Sequence, residues 1–353
     1  EYFIKKTIQF YECHVVRHSV MLVGAPFSGK TTALMTLQKA LTDLATEEVM
    51  HPGEIVHQMR LNPKSIPARC LYGSFDDVSH EWADGIVAVL FRDFARNTTA
   101  ERKWLVFDGP VDAIWIEDMN TVMDDNKKLC LNSGEIIAMS DNMRTIIEPM
   151  DVEVASPATI SRNGMVYFEP HLMGYSSLVT TALASRMPET FDASERQEVA
   201  TMLNFLLPPL LAYVKKNAQE VSPAQDQNLV QTCLTLLMDH LDRYKVLDTY
   251  VSLGNKNCLQ MIDCTVLWSV IWSVGVAVTT ECRKPFGDYL RKLLTGGTEF
   301  KPPKKITPVL PDRGSVFDVI FDPDALQWKN WLETIGEPQM LGKEDKAESI
   351  VVE

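Results

Sequence analysis

Eight residues constrain this chain more than any others. Positions 24–31 run Gly24-Ala25-Pro26-Phe27-Ser28-Gly29-Lys30-Thr31, a match to G-x-x-x-x-G-K-[ST], the Walker A pattern. The apolar run Ser19–Val23 leads into it and stops at Gly24, as a buried strand would. Residues 31–44 then take up helical spacing through Leu34, Leu37 and Leu41. A strand that turns through glycines into a helix lets the backbone wrap closely around phosphates. The loop amides and the helix N-terminus donate to their oxygens. In this pattern Lys30 reaches the β- and γ-phosphates, the Thr31 hydroxyl ligates Mg²⁺, and Thr32 completes the nucleotide-binding set. The expected ligand is a nucleoside triphosphate, Mg·ATP.

Such a loop needs an acid on a neighbouring strand to hold the metal's water shell. Trp104-Leu105-Val106-Phe107 followed by Asp108 has that form, four apolar residues and then a carboxylate, so Thr31 and Asp108 are the expected metal-site pair. An active ATPase of this kind usually carries a glutamate next, to polarise the attacking water. Here the next residues are Gly109 and Pro110. Loss of a positioned base removes a factor of ~10²–10⁴ in rate, so binding is expected to survive and turnover is not. Asp112 and Glu117 lie nearby in sequence, but their spacing gives no support for a substitute base. Arg162 precedes an apolar stretch at 165–168. A guanidinium fork suits a γ-phosphate, yet by its sequence alone Arg162 reads as a surface arginine.

The formal net charge is −13, from 47 acidic and 34 basic residues, a poor surface for nucleic acid or an anionic membrane. Seven scattered cysteines form no CxxC pair, and their odd number argues against a disulfide framework, so they read as reduced, buried, cytosolic cysteines. The longest uncharged run, 265–280, is too short for a membrane span and reads as a buried helix. The chain starts at Glu1, without a visible signal peptide, and reads as an excised piece.

The periodicity of the first half alternates strands and helices. A helix is expected at 3–16, a turn at Pro52-Gly53, a strand at 55–61, a turn-rich stretch at 71–84 and a helix at 86–95. A strand at 104–107, a helix near 113–122, a hairpin at 129–137 and strands at 145–148 and 165–168 follow. This predicts a parallel sheet covered on both faces. Helical spacing then takes over at 178–186, 193–206, 210–216, 227–241 and 258–278, with Pro208, Pro209 and Pro223 as breaks. Residues 296–311 read as a Gly/Pro/Lys-rich linker. Residues 316–332 carry enough apolar side chains to dock on something, and the last dozen read as loose. The expected organisation is a nucleotide-binding α/β subdomain at 1–170, a smaller all-helical lid at 171–295, and a linker with a C-terminal extension at 296–353.

At these residues the chain resembles an AAA+ module and, more narrowly, a dynein heavy chain. The run Asp108-Gly109-Pro110-Val111-Asp112-Ala113-Ile114-Trp115, continuing to Leu129, is similar to the long pattern of the second module in the dynein ring. So are Asn62-Pro63-Lys64-Ser65, Leu71-Tyr72-Gly73, Glu81-Trp82-Ala83-Asp84-Gly85 and Ala158-Thr159-Ile160-Ser161-Arg162. The wording at Glu148-Pro149-Met150-Asp151 and Ala155-Ser156-Pro157 is closer to axonemal than to cytoplasmic chains.

The resemblance implies the AAA+ P-loop NTPase fold within a minus-end-directed microtubule motor. It implies a module that holds ATP and rarely turns it over, and it assigns Arg162 as an arginine finger acting in trans on the first module. Glu148 matches the first sensor position loosely, since active modules carry Asn there, and Arg283 is a possible second sensor. The implied partners are neighbouring modules of the same chain, the linker arm met by the inserts around 71–85 and 129–137, and dynein light and intermediate chains through the full protein. Microtubules would be met only through a distant stalk, in the cytoplasm and the ciliary axoneme. An autonomous ATPase and a structural module with a relic loop are the alternatives; intact Lys30, Thr31 and Asp108 weigh against the second.

Overall fold

A computed structural model describes residues 1–49, 54–246 and 255–335. The Pro52-Gly53 turn and the last dozen residues lie outside the described residues. Two compact units divide the chain, Glu1–Gly174 and Tyr175–Glu353.

In chain order the first unit contains α1 (Tyr2–Val16), β1 (Ser19–Val23), α2 (Lys30–Thr46), β2 (Val56–Leu61) and α3 (Ala68–Leu71). A hairpin follows, β3 (Gly73–Phe75) with β4 (Trp82–Asp84), then α4 (Ile86–Arg96), β5 (Arg102–Phe107), α5 (Ala113–Asp118) and α6 (Asn120–Met123). A second hairpin, β6 (Lys128–Cys130) with β7 (Ile136–Ala138), precedes β8 (Met143–Ile147), α7 (Pro157–Arg162), β9 (Gly164–Tyr167) and α8 (Pro170–Met173). Five strands form one parallel sheet in the order β2-β5-β8-β1-β9.

The two-residue period of the strands sorts their side chains onto two cores. Val20, Leu22, Trp104 and Val106 join Phe10, Leu34 and Leu37 on the face covered by α1 and α2. Met21, Val23, Leu105 and Phe107 join Phe91 and Trp115 on the other face, with α4 and α5. Both faces are therefore covered, which is why these strands read as unbroken apolar runs. β1 lies inside the sheet and β2 at its far edge, so the chain crosses two strand positions between them. Such a switch point leaves a crevice at the carboxyl ends of the strands. The two hairpins are tied together by Arg92 of α4, which holds Asp84 at 2.9 Å and Glu135 at 2.5 Å.

The helix expected near 113–122 is two short helices, and Asp112 caps the first by accepting from the Ile114 and Trp115 amides. The seven cysteines are free, but only Cys233, Cys258 and Cys264 are buried, while Cys70 and Cys130 are exposed.

The second unit comprises α9 (Ser176–Ser185), α10 (Ala193–Asn217), α11 (Asp226–Val246), α12 (Asn255–Val270) and α13 (Thr280–Leu294). Near its end come the antiparallel pair β10 (Val319–Asp322) and β11 (Gln327–Asn330), followed by a 3-10 turn at Trp331–Thr334. Pro208 and Pro209 do not break the chain as expected; both lie inside α10. Each proline removes its own amide donor and crowds the carbonyl four residues back, at a cost of about 3 kcal/mol that the surrounding packing must offset. Leu206, Leu207, Pro209, Leu210 and Leu211 are buried in one core, which holds both halves in line. α10 opens with a capping box between Asp192 and Glu195. α13 has no counterpart in the sequence reading.

The α12 helix runs on into a π-helical turn at Ile271–Gly275, and the stretch Asn257–Gly275 is long and apolar enough to cross a membrane by composition alone. Most of it is buried inside this unit's core, with Leu267, Val270 and Val274 fully covered. Residues 296–311 form no helix or strand, yet Ile306 and Leu310 are buried in the same core.

Candidate nucleotide-binding site

The loop at 24–31 leaves β1 at the carboxyl end of the sheet, and its glycines serve close approach. A Cβ on Gly24 would lie 2.2 Å from the Phe168 carbonyl oxygen. Gly29 takes φ +88° where it caps α2, a left-handed conformation that favours glycine. Phe27 also has positive φ, at 62°, and its side chain is exposed at the loop tip. The Ser28 hydroxyl is buried without a hydrogen-bond partner. Lys30 Nζ folds back to donate to the carbonyls of Gly24 and, at 3.2 Å, Ala25. Burial lowers the Lys30 pKa, against the pull of Glu148 and Asp108.

Four side chains from four elements meet beside the loop. Thr31 Oγ1 donates to Glu148 Oε2 at 2.8 Å. Arg60 Nη1 donates to Asp108 Oδ2 at 2.9 Å and to the same Glu148 Oε2 at 3.3 Å. Asp108 follows β5, Glu148 follows β8, and Arg60 is the penultimate residue of β2, so the parallel sheet delivers all three to one edge. The Glu148 side chain is only 1% exposed, and its second oxygen, Oε1, has no partner. Burial raises the Glu148 pKa, partly offset by the Thr31 hydrogen bond and by Arg60.

Loop and acids enclose a cavity of about 540 Å³, lined by Pro26 through Thr32, Asp108, Gly109, Pro110, Glu148 and Met150. Thr32 thus faces the same space as the rest of the loop, whereas Gly24 and Ala25 offer Lys30 their carbonyls behind it. At Gly109 a Cβ would meet Asn62 Oδ1 at 2.7 Å, the atom that accepts from the Lys64 amide. The substitute bases are placed elsewhere. Asp112 is occupied as a helix cap and an ion pair with Lys64, and Glu117 is exposed; neither lines the cavity.

Arg162 ends α7 and pairs with Asp124. Gly164, two residues on, pairs in register with Val20, at the amino end of β1. The loop leaves the carboxyl end, so Arg162 and the loop sit at opposite ends of the sheet. Arg283 belongs to the second unit, on α13, with its guanidinium 5.5 Å from the centre of the Phe317 ring. Arg60 was missed by sequence reasoning. Its only signal is a charge next to the end of a parallel strand, where side chains face the crevice.

The residues present fit a magnesium-bound nucleotide. The donors are backbone amides and an ammonium, a buried hydroxyl lacks a partner, and a hydroxyl and two carboxylates are gathered within reach of one another. Among the described residues no group of three or more His, Cys, Asp or Glu could hold a metal alone, so a cation here would draw ligands from phosphate oxygens as well.

A P-loop set in a five-stranded parallel sheet flanked by helices, followed by a helical region, defines an AAA+ module. Residues 199–333 match the family model for the dynein heavy chain AAA lid domain. The chain is 38% identical to human dynein axonemal heavy chain 3 over 345 residues, 95% of this chain and 8% of that protein. It is 38% identical to rat dynein axonemal heavy chain 12 over 365 residues, 100% of this chain and 12% of that protein. With human dynein axonemal heavy chain 1 the identity is 38% over 90% of this chain and 7% of that protein. The chain belongs to the axonemal dynein heavy chain family. It spans only 7–12% of the length of these relatives.

Proposed function

We propose that this chain is the second AAA+ module in the motor ring of an axonemal dynein heavy chain. In this reading it binds Mg·ATP at residues 24–31 with little or no hydrolysis, and lends Arg162 to the neighbouring module. The loop amides, Lys30 and the Ser28 hydroxyl would hold the phosphates, and Thr31 and Asp108 would hold the ion. Bound magnesium would neutralise phosphate charge and orient the terminal group. Arg162 stands at the far end of the sheet from its own loop, the placement expected of a residue that serves another module. Its pair with Asp124 keeps the guanidinium oriented when no phosphate is near.

The observation that carries the reading is Gly109 in the lining of the cavity, where a water-activating carboxylate would otherwise stand. ATP would then act as a structural ligand, holding the unit in one conformation by mass action. The hairpins β3–β4 and β6–β7, clamped by Arg92, are the surfaces proposed to meet the linker arm. Light and intermediate chains would be partners of the full protein, and microtubules would be reached through a stalk elsewhere in it, in the axoneme. The test is phosphate release by the purified chain under saturating Mg·ATP. Tight retention without release is expected; turnover of order one per second would sink the reading.

One observation favours a second reading, a slow autonomous ATPase. Glu148 is a buried carboxylate on the cavity wall with an unpartnered oxygen and a raised pKa. If Glu148 served as the base, any measured release would vanish in Glu148→Gln.

A further inference from the structure

We propose that Arg60 reads the terminal phosphate and sets this module's preference for triphosphate over diphosphate. The inference rests on the nucleotide reading above and adds to it a cation supplied by the module itself.

Three observations carry it. First, Arg60 stands just behind the cavity lining, held there by two carboxylates that do line it, Asp108 at 2.9 Å and Glu148 at 3.3 Å. It shares Glu148 Oε2 with the Thr31 hydroxyl, so the guanidinium stands one carboxylate away from the metal-site residue. Second, both described bonds are made by Nη1 alone, which leaves Nη2 and Nε to donate. A planar fork can hold a carboxylate on one edge and a phosphate on the other, which an ammonium cannot. Third, charge favours it. Two carboxylates stand beside the phosphate site, and besides Lys30 and the ion, Arg60 is a further cation, bonded to both of them. The side chain is 27% exposed, open enough to turn toward a ligand.

Arg60 lies beside the cavity's two acids, near the end of β2, and its described bonds run to those acids and not to the loop that would cradle the inner phosphates. Its contribution therefore falls on the outermost phosphate, which only a triphosphate presents.

The experiment titrates ATP and ADP, each with magnesium, against the purified chain, Lys30→Ala, Arg60→Gln and Arg60→Lys, by calorimetry. Thermal unfolding of each variant reports folding separately. The wild-type chain is expected to bind both nucleotides and Lys30→Ala to lose both; a wild-type chain that binds neither defeats the nucleotide reading and this inference together. With binding established, Arg60→Gln is expected to weaken ATP at least tenfold and ADP less than threefold. Arg60→Lys, a point charge without the fork, should fall between. An ATP-to-ADP affinity ratio unchanged from wild type in either folded variant overturns the inference and leaves the nucleotide reading standing, as does an equal loss for the two nucleotides. Each ratio is internal to one variant, so a general loss of stability cannot imitate the expected result.

Discussion

The Thr31 hydroxyl donates its proton to Glu148 Oε2 across 2.8 Å, joining the last residue of the phosphate loop to a carboxylate 117 positions later in the chain. With that proton committed, the hydroxyl's lone pairs are left to face a cation. Glu148 thereby acts on the metal through Thr31. Glu148→Ala is expected to weaken ATP binding about tenfold with magnesium present, from loss of one charge-assisted hydrogen bond. Binding with magnesium chelated should change little. Paired titrations with and without a chelator check this, and equal losses in both would contradict it.

Gly109 is shaped by packing as well as by missing chemistry. A side chain there would push Asn62 Oδ1 off the Lys64 amide it accepts from at 2.9 Å. Gly109→Glu is therefore expected to cost about 1 kcal/mol of stability, the scale of a lost turn cap. It should raise phosphate release from the isolated chain by less than tenfold, since a finger from a neighbouring module is also absent. Denaturant unfolding and a phosphate assay measure the two effects. A hundredfold rise would show that Gly109 alone blocks turnover.

Arg162→Ala should leave ATP affinity at the module's own loop unchanged, because that side chain stands at the amino end of the sheet. In the full heavy chain it should slow turnover at the neighbouring module about a thousandfold, the lower end of the range for loss of an arginine finger. Steady-state ATPase of the motor, with nucleotide affinity of this chain as the control, separates the two. Lost affinity with normal motor turnover would reverse the assignment.

His14 gives the first unit an acid-sensitive core. Trp104 Nε1 donates to His14 Nε2 at 3.1 Å, so the ring must be neutral with its proton on Nδ1. Burial, with Arg102 and Arg144 adding to it, lowers the His14 pKa to about 3. The unfolded ring takes up a proton more readily than the folded one. This contribution is complete above pH ~6.5 and is lost as pH falls toward 3, by about 2 kcal/mol at pH 5. His14→Gln keeps an acceptor for Trp104 and should flatten that slope in denaturant unfolding at pH 7 and pH 5. An equal slope in both proteins would place the acid sensitivity elsewhere.

What was legible in the sequence is what chemistry ties to neighbours in the chain. Strand, loop and helix around Gly24 and Lys30 share one short stretch, and Ser19–Val23 alternates between two cores that each demand apolar residues. Asp108 was legible because its strand is apolar to the last residue before it. Arg60 was not, since only the strand order brings β2 alongside β5 and so sets Arg60 beside Asp108. Glu148 was seen as a sensor position, but its bond to Thr31 depends on a register between strands that no local pattern encodes. The uninterrupted α10 was missed because two prolines weigh heavily in a local reading, while the packing around Leu207 and Leu210 outweighs them. Helix α13, with Pro285 inside it and charged residues along one side, was hidden for the same reason.

Retained nucleotide tests the central claim most directly. The chain is purified without added ATP and denatured, and the released nucleotide is separated by ion-exchange chromatography. About one ATP per chain is expected from a pocket that binds triphosphate and lacks a base beside it. An empty chain, or one carrying ADP alone, would contradict it.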